Sequence, residues 1–237
     1  KGEEQWIDRV FVYDKERIVH AASALSADSG GSRLESNSIH ALTFHLNELS
    51  TSIASFTHRH DVGTVDSRCK NVLSLWERYS NEGHIYTRPG YLLSAFLSPR
   101  DSTLQPFSLF IPKNFNPADP VDLLFSLHGS GVDEVRTVKS MGRRFSREEV
   151  LIAGPRGRDL SSWYMGETQE DCVDLTRLLQ SIFHVNRTVC SGFSMGGYGT
   201  WRLTLLNPEL YDAAVVVSGT PTPSWLSDQE ADLRPLA

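Results

Sequence analysis

The chain has 237 residues, 40% of them hydrophobic and 22% charged, with a formal net charge of −6. This is a globular composition, long enough for one large domain or for one domain plus an appendage, and its acidic balance argues against a nucleic-acid surface. No apolar run reaches the roughly 20 residues a spanning helix needs, and the three cysteines, Cys69, Cys172 and Cys190, make neither a disulfide framework nor a metal spacing.

The sequence opens at Lys1 without a legible signal peptide, so localisation cannot be read from this end. Asp14 is placed to cap a short helix through Lys15–Ala24, and a Ser/Gly-rich break follows at Ser26–Ser32. A second helix is expected over Ser38–Phe56, where Leu42, Leu46, Leu49 and Ile53 recur at three- and four-residue intervals. A third is expected over Ser67–Tyr79, carrying Val72, Leu73, Leu75 and Trp76. His58-Arg59-His60 reads as an exposed polar loop, because no spaced set of Cys, Asp or Glu completes a metal site around it. Residues 1–88 hold no repeat and no catalytic pattern, and are read as a helical leader or linker region.

From residue 89 the pattern changes to strands alternating with helices. Tyr91–Leu97 and Gln105–Ile111 form an expected hairpin around Pro99-Arg100-Asp101-Ser102. Val121–Leu127 is a nearly continuous apolar strand, as expected where both sheet faces are covered. Glu134–Arg147 is read as a helix, Val150–Ala153 as a buried strand, Glu170–Phe183 as an amphipathic helix and Ala213–Ser218 as another buried strand. Such alternation predicts a three-layer α/β/α domain over 89–237, its mostly parallel sheet covered by helices on both faces.

One stretch carries the chemistry. Gly192-Phe193-Ser194-Met195-Gly196 stands between the apolar run Val189–Ser191 and a helical pattern over Gly197–Leu206, the setting of a nucleophile elbow. Ser194 would sit at the strained tip, flanked by glycines that leave room for the turn, with the helix N-terminus directing amides at developing negative charge. Leu127-His128-Gly129-Ser130-Gly131 leaves the sheet at the same carboxyl edge. The expected oxyanion donors are therefore the backbone N–H groups of Met195 and Ser130. His128 is read as a structural residue whose ring holds its loop, a general base being the alternative. Trp163 and Tyr164 are candidate substrate-binding residues, with packing of their loop as the other reading. Arg156 is expected to pair with Glu167 or Asp171 rather than to steer a substrate.

Taken together, Ser108-Leu109-Phe110-Ile111-Pro112, Leu127-His128-Gly129-Ser130-Gly131, Pro155-Arg156-Gly157-Arg158, Ser162-Trp163-Tyr164-Met165-Gly166-Glu167 and Gly192–Trp201 resemble the polyhydroxybutyrate-depolymerase-like and prolyl-oligopeptidase-type esterases of the α/β-hydrolase superfamily. The resemblance covers a little over half the chain. It implies a serine hydrolase of carboxylic esters, with no cofactor or metal and a small-molecule ester or short peptide as substrate. It also implies a periplasmic or secreted setting. The oligomeric state stays open. Members of that group place an acid and then a histidine after the nucleophile in chain order. No histidine follows His184 here, and His184 enters the elbow strand at the edge away from Ser194. The expectation is a C-terminally incomplete hydrolase, inactive as it stands, whose acid and histidine lie beyond residue 237. A serine peptidase and a catalytically dead binding module are the alternatives.

Overall fold

The computed structural model describes residues 16–28, 30–55, 61–145, 149–159 and 162–221. Two compact units divide between Tyr86 and Thr87. Asp14 and the His58-Arg59-His60 segment lie outside the described residues.

The first unit is helical. Helix α1 covers residues 16–27, α2 Arg33–Ala54 and α3 Asp61–Glu82. The α2 helix starts five residues before the sequence pattern places it, because Ser32 and Glu35 form a capping box. Ser32 Oγ accepts from the Glu35 amide at 3.2 Å, and Glu35 Oε2 accepts from the Ser32 amide at 2.6 Å. Leu49, Val65, Cys69 and Val72 pack together between α2 and α3. At the end of the unit, Asn37 Nδ2 donates to the Tyr86 hydroxyl.

The second unit contains a six-stranded sheet: β1 (Gly90–Leu97), β2 (Leu104–Ile111), β3 (Val121–Leu127), β4 (Val150–Pro155), β5 (Val185–Phe193) and β6 (Ala213–Val217), in the order β1-β2-β4-β3-β5-β6. The β1–β2 hairpin is antiparallel and β2 joins β4 antiparallel, while β4, β3, β5 and β6 are mutually parallel. The helices α4 (Glu134–Arg144), α5 (Glu167–Ile182) and α6 (Met195–Leu206) connect the parallel strands, and a single 3-10 turn, Pro208–Leu210, precedes β6.

Strand alternation assigns the faces. Leu124 and Ile152 pack with Val138 of α4, joined by Val189. Their neighbours point the other way: Phe125 meets Tyr211, whose hydroxyl bonds Thr176 of α5, and Cys190 meets Thr200 of α6. One layer is thus α4 and the opposite layer is α5 with α6, the α/β/α arrangement expected from the alternation. Strand β5 begins four residues earlier than its apolar core. Val121 is paired with Val185 but Leu123 with Thr188, so one extra residue bulges out of β5 at Asn186-Arg187. Those side chains both reach Asp122 on β3.

Candidate active site

Four connections leave the carboxyl ends of β3, β4, β5 and β6 at one edge of the sheet, where ligands bind in open parallel sheets. The sharpest of them is the junction of β5 and α6. Ser194 lies between the two with φ 56° and ψ −115°, a conformation that L-residues rarely adopt. Such strain costs about 1–3 kcal/mol and persists only where the surroundings enforce it. Here they do: the Ser194 amide donates to Val217 O at 2.9 Å, and Ser194 O accepts from the Tyr198 amide at 3.0 Å.

The glycines of the junction are there for lack of space. A Cβ on Gly192 would fall 2.1 Å from Gly196 O, and one on Gly196 would fall 2.3 Å from Leu127 O and 2.8 Å from His128 O. Strand β3 and the first turn of α6 therefore touch backbone to backbone, which draws the His128-Gly129 loop up to the serine. A Cβ built on Gly129 would stand 3.9 Å from Ser194 Cβ. Ser194 is half-buried, Ser130 exposed and the Met195 side chain fully buried. Met195 is the first residue of α6, so its N–H has no acceptor within the helix.

His128 is buried, and both ring nitrogens face backbone carbonyls: Nε2 lies 2.8 Å from Arg156 O and Nδ1 lies 3.0 Å from Gly129 O. The ring fastens its own loop to the one after β4, the structural role read from the sequence, and neither nitrogen is turned to Ser194. His184 is exposed at the other end of β5. The nine residues of β5, Val185–Phe193, separate it from Ser194, roughly 30 Å at about 3.3 Å per residue.

The loop after β4 departs from expectation in two ways. Tyr164, a candidate for substrate binding, has no exposed surface; its hydroxyl donates to His128 O at 3.1 Å. It packs the loop, the alternative left open by the sequence, and has no face to offer a substrate. Trp163 stays partly exposed, edge-on to Tyr198 at 6.0 Å between ring centroids. The two consecutive residues have φ 56° and 54°. This left-handed pair costs about 1–2 kcal/mol per residue, and turns the Tyr164 ring inward.

Arg156 is the second departure. It pairs with neither Glu167 nor Asp171 but with Glu134 in the first turn of α4, Nε and Nη2 donating to Oε1 at 3.1 and 2.9 Å. Glu134 is fully buried, so the half-exposed guanidinium neutralises a carboxylate that burial would otherwise destabilise. The expected acidic partners belong to Arg158. Its Nε donates to Asp171 Oδ2 at 2.6 Å, and its Nη1 lies 2.7 Å from Asp101 Oδ2 and 2.8 Å from Glu167 Oε2. Ser98 Oγ adds a bond to Asp171 Oδ1 at 2.6 Å. Hydrogen bonds from Arg158, and then from Thr103, hold the Asp101 carboxyl down at about 2. This network ties the hairpin tip, the β4 loop and the start of α5 into one corner. The signal for it was two arginines closing the Gly-Pro-Arg-Gly-Arg run after β4, of which sequence reasoning weighed only the first.

Among the described residues no group of His, Cys, Asp and Glu is arranged to hold a metal ion, and no helix is long and apolar enough to cross a membrane. Burial pushes the Cys190 thiol up to about 12, and raises Cys172 well above its usual range.

A strained serine at a parallel strand–helix junction, beside a His-Gly loop from the neighbouring strand, is the architecture of an α/β hydrolase. No protein-family model and no curated protein matches the sequence, but solved structures share the fold. The fluorophosphonate-binding serine hydrolase F of Staphylococcus aureus, solved with substrate bound, superposes with a TM-score of 0.52 at 22% identity, covering 61% of this chain and 63% of that one. A ferulic acid esterase superposes with a TM-score of 0.50 at 16% identity, covering 63% of this chain and 66% of that one. The chain thus spans less than two thirds of the length of either. At such identities the likeness is one of fold, and the second unit has the α/β-hydrolase fold.

Proposed function

We propose that the second unit is the nucleophile-bearing part of a serine hydrolase acting on carboxylic esters. The observation that supports this most is the backbone of Ser194, strained at φ 56° and ψ −115° between β5 and α6 with the Gly129 loop against it. In this reading Ser194 Oγ attacks the ester carbonyl carbon while its proton passes to a general base. The N–H groups of Met195 and Ser130 hold the tetrahedral oxyanion. Collapse of that intermediate expels the alcohol, which takes up the proton from the base. Water then repeats the sequence on the acyl-enzyme and releases the acid. The partly exposed face of Trp163 is the surface offered to the substrate. The base comes from outside residues 87–221, since His128 is committed to two carbonyls and His184 lies at the far end of β5.

The test uses the protein at its natural length. A p-nitrophenyl ester should be hydrolysed, a fluorophosphonate probe should label the peptide containing Ser194, and Ser194→Ala should cost several powers of ten in rate. Activity that survives Ser194→Ala, or label on another residue, would overturn the assignment. Faster turnover of a matched p-nitroanilide than of the ester would move the reading to a peptidase. Absence of both label and turnover would leave a binding module.

A further inference from the structure

We infer that Tyr164 is a positioning residue that sets the spacing between the two halves of the oxyanion hole. The inference rests on the reading of Ser194 as nucleophile and of the Met195 and Ser130 amides as oxyanion donors. Those amides belong to different elements: Met195 opens α6, and Ser130 sits in the loop after β3. For them to converge on one oxygen, α6 and that loop need a fixed separation, and Tyr164 touches both.

On the α6 side the ring lies flush against the helix backbone. A Cβ added to Gly199 would come within 2.5 Å of Tyr164 Cδ2, and one added to Gly157 would come within 3.3 Å of Cε1. Gly199 stands one turn along α6 from Met195, so the ring presses on the helix just behind its first amide. On the loop side the Tyr164 hydroxyl donates to His128 O. The carbonyl it grips belongs to the peptide unit whose N–H is that of Gly129, so this hydrogen bond fixes the tilt of that plane. The next plane, whose N–H is that of Ser130, is held through its own carbonyl. Gly129 O accepts from the Val132 amide at 3.2 Å and faces His128 Nδ1 at 3.0 Å. Both planes leading to the Ser130 donor are therefore pinned by their oxygens, leaving their N–H groups directed away from the pins.

The tyrosine is itself over-determined. Its loop is tied down by His128 Nε2 on Arg156 O, by the Arg156 amide on Pro106 O at 3.0 Å, and by Thr168 Oγ1 on Gly157 O at 3.3 Å. The clamp is reciprocal. The β4 loop grips the carbonyl of His128, and the ring of His128 grips the carbonyl of Arg156.

Tyr164→Phe in the natural-length protein tests this, because it deletes the hydroxyl and keeps the ring against Gly199. Sites are counted by fluorophosphonate titration, so that kcat refers to folded molecules alone. The expected result is a kcat at least tenfold lower with KM within twofold, accompanied by an equal loss of affinity for a boronic-acid analogue of the tetrahedral intermediate. A lowered Tm with unchanged kcat would assign Tyr164 to packing only and overturn the inference. A raised KM with unchanged kcat would return it to substrate binding and overturn it as well. A variant with no cooperative melt and no titratable sites would make it a core residue, against the inference. Wild-type turnover insensitive to Ser194→Ala would instead mark failure of the underlying hydrolase reading.

Discussion

Replacing Ser194 by glycine should make the protein more stable while abolishing any turnover that depends on the serine. The residue holds φ 56° and ψ −115°, a strain of about 1–3 kcal/mol for an L-residue that glycine does not suffer. Glycine gives back about 0.5–1 kcal/mol through its greater freedom in the unfolded chain, leaving a net gain of up to about 2.5 kcal/mol. For a protein of this size about 2–4 °C of Tm accompanies each kcal/mol, so the rise should be up to about 10 °C. Ser194→Ala is the control. It removes the same hydroxyl, which makes no hydrogen bond among the described residues, but keeps the strained Cβ. Thermal melts followed by circular dichroism, with the wild type alongside, give the comparison. A Ser194→Gly protein melting at or below Ser194→Ala would show that no strain is stored there, and would remove the main support for the elbow.

Gly196→Ala drives a methyl into Leu127 O and His128 O, backbone atoms that cannot swing aside, so the cost should lie near the upper end of about 1–3 kcal/mol and lower Tm by about 6–12 °C. Gly63→Ala on α3, where an added Cβ meets nothing within 4 Å, should instead gain about 0.5–1 kcal/mol; a Gly196→Ala melt within about 2 °C of wild type would refute the close approach. Asp101 is held at about 2 by Arg158, below its unfolded value of about 3.9. It therefore contributes stability that is fully present above pH 4 and lost as pH falls through 2. Urea midpoints from pH 5 to pH 2 should fall more steeply for wild type than for Asp101→Asn, and parallel curves would count against the Arg158 network. Cys172 and Cys190 are fully buried with raised thiols, so neither should react with Ellman's reagent until urea unfolds the protein. Rapid labelling of either under native conditions would contradict their burial.

The sequence carried the layers of this fold because each layer has a local signature. Strand β3 is apolar on both faces, and α5 shows a clear amphipathic period, so both were legible within a few residues. The start of β5 was hidden by Asn186 and Arg187, polar residues placed in a bulge to reach Asp122 across the sheet, a contact with no local trace. The start of α2 was hidden by reading Ser32 as part of a loop, when its spacing to Glu35 is that of a capping box. The approach of the His128 loop to the Ser194 turn was legible because glycine spacing encodes close backbone approach. The partner of Arg156 was not. Glu134 lies on the apolar side of its helix, where a sequence reader expects no charge, and only the fold brings it beneath the guanidinium. Tyr164 was read as a candidate for substrate binding with loop packing as the alternative, and its burial follows from the fold around two left-handed residues that no propensity foretells.

The bond from the Ser194 amide to Val217 O ties the strained serine to β6, the last strand in the sheet order among the described residues. Val215 and Val217 are about half exposed there, and β6 hydrogen bonds to β5 on one side only among the described residues. Elements with exposed apolar side chains and backbone bonds on one side only open locally at lower free energy than the core strands. Each opening frees the serine backbone to relax, so the energy stored in that turn works against the docking of β6. Anything that held β6 against β5 more firmly would also hold the strained serine turn in place, without contact to the serine or its loop. The exchange rate of the Ser194 amide proton is in this sense a gauge, counting how often the last strand lets go.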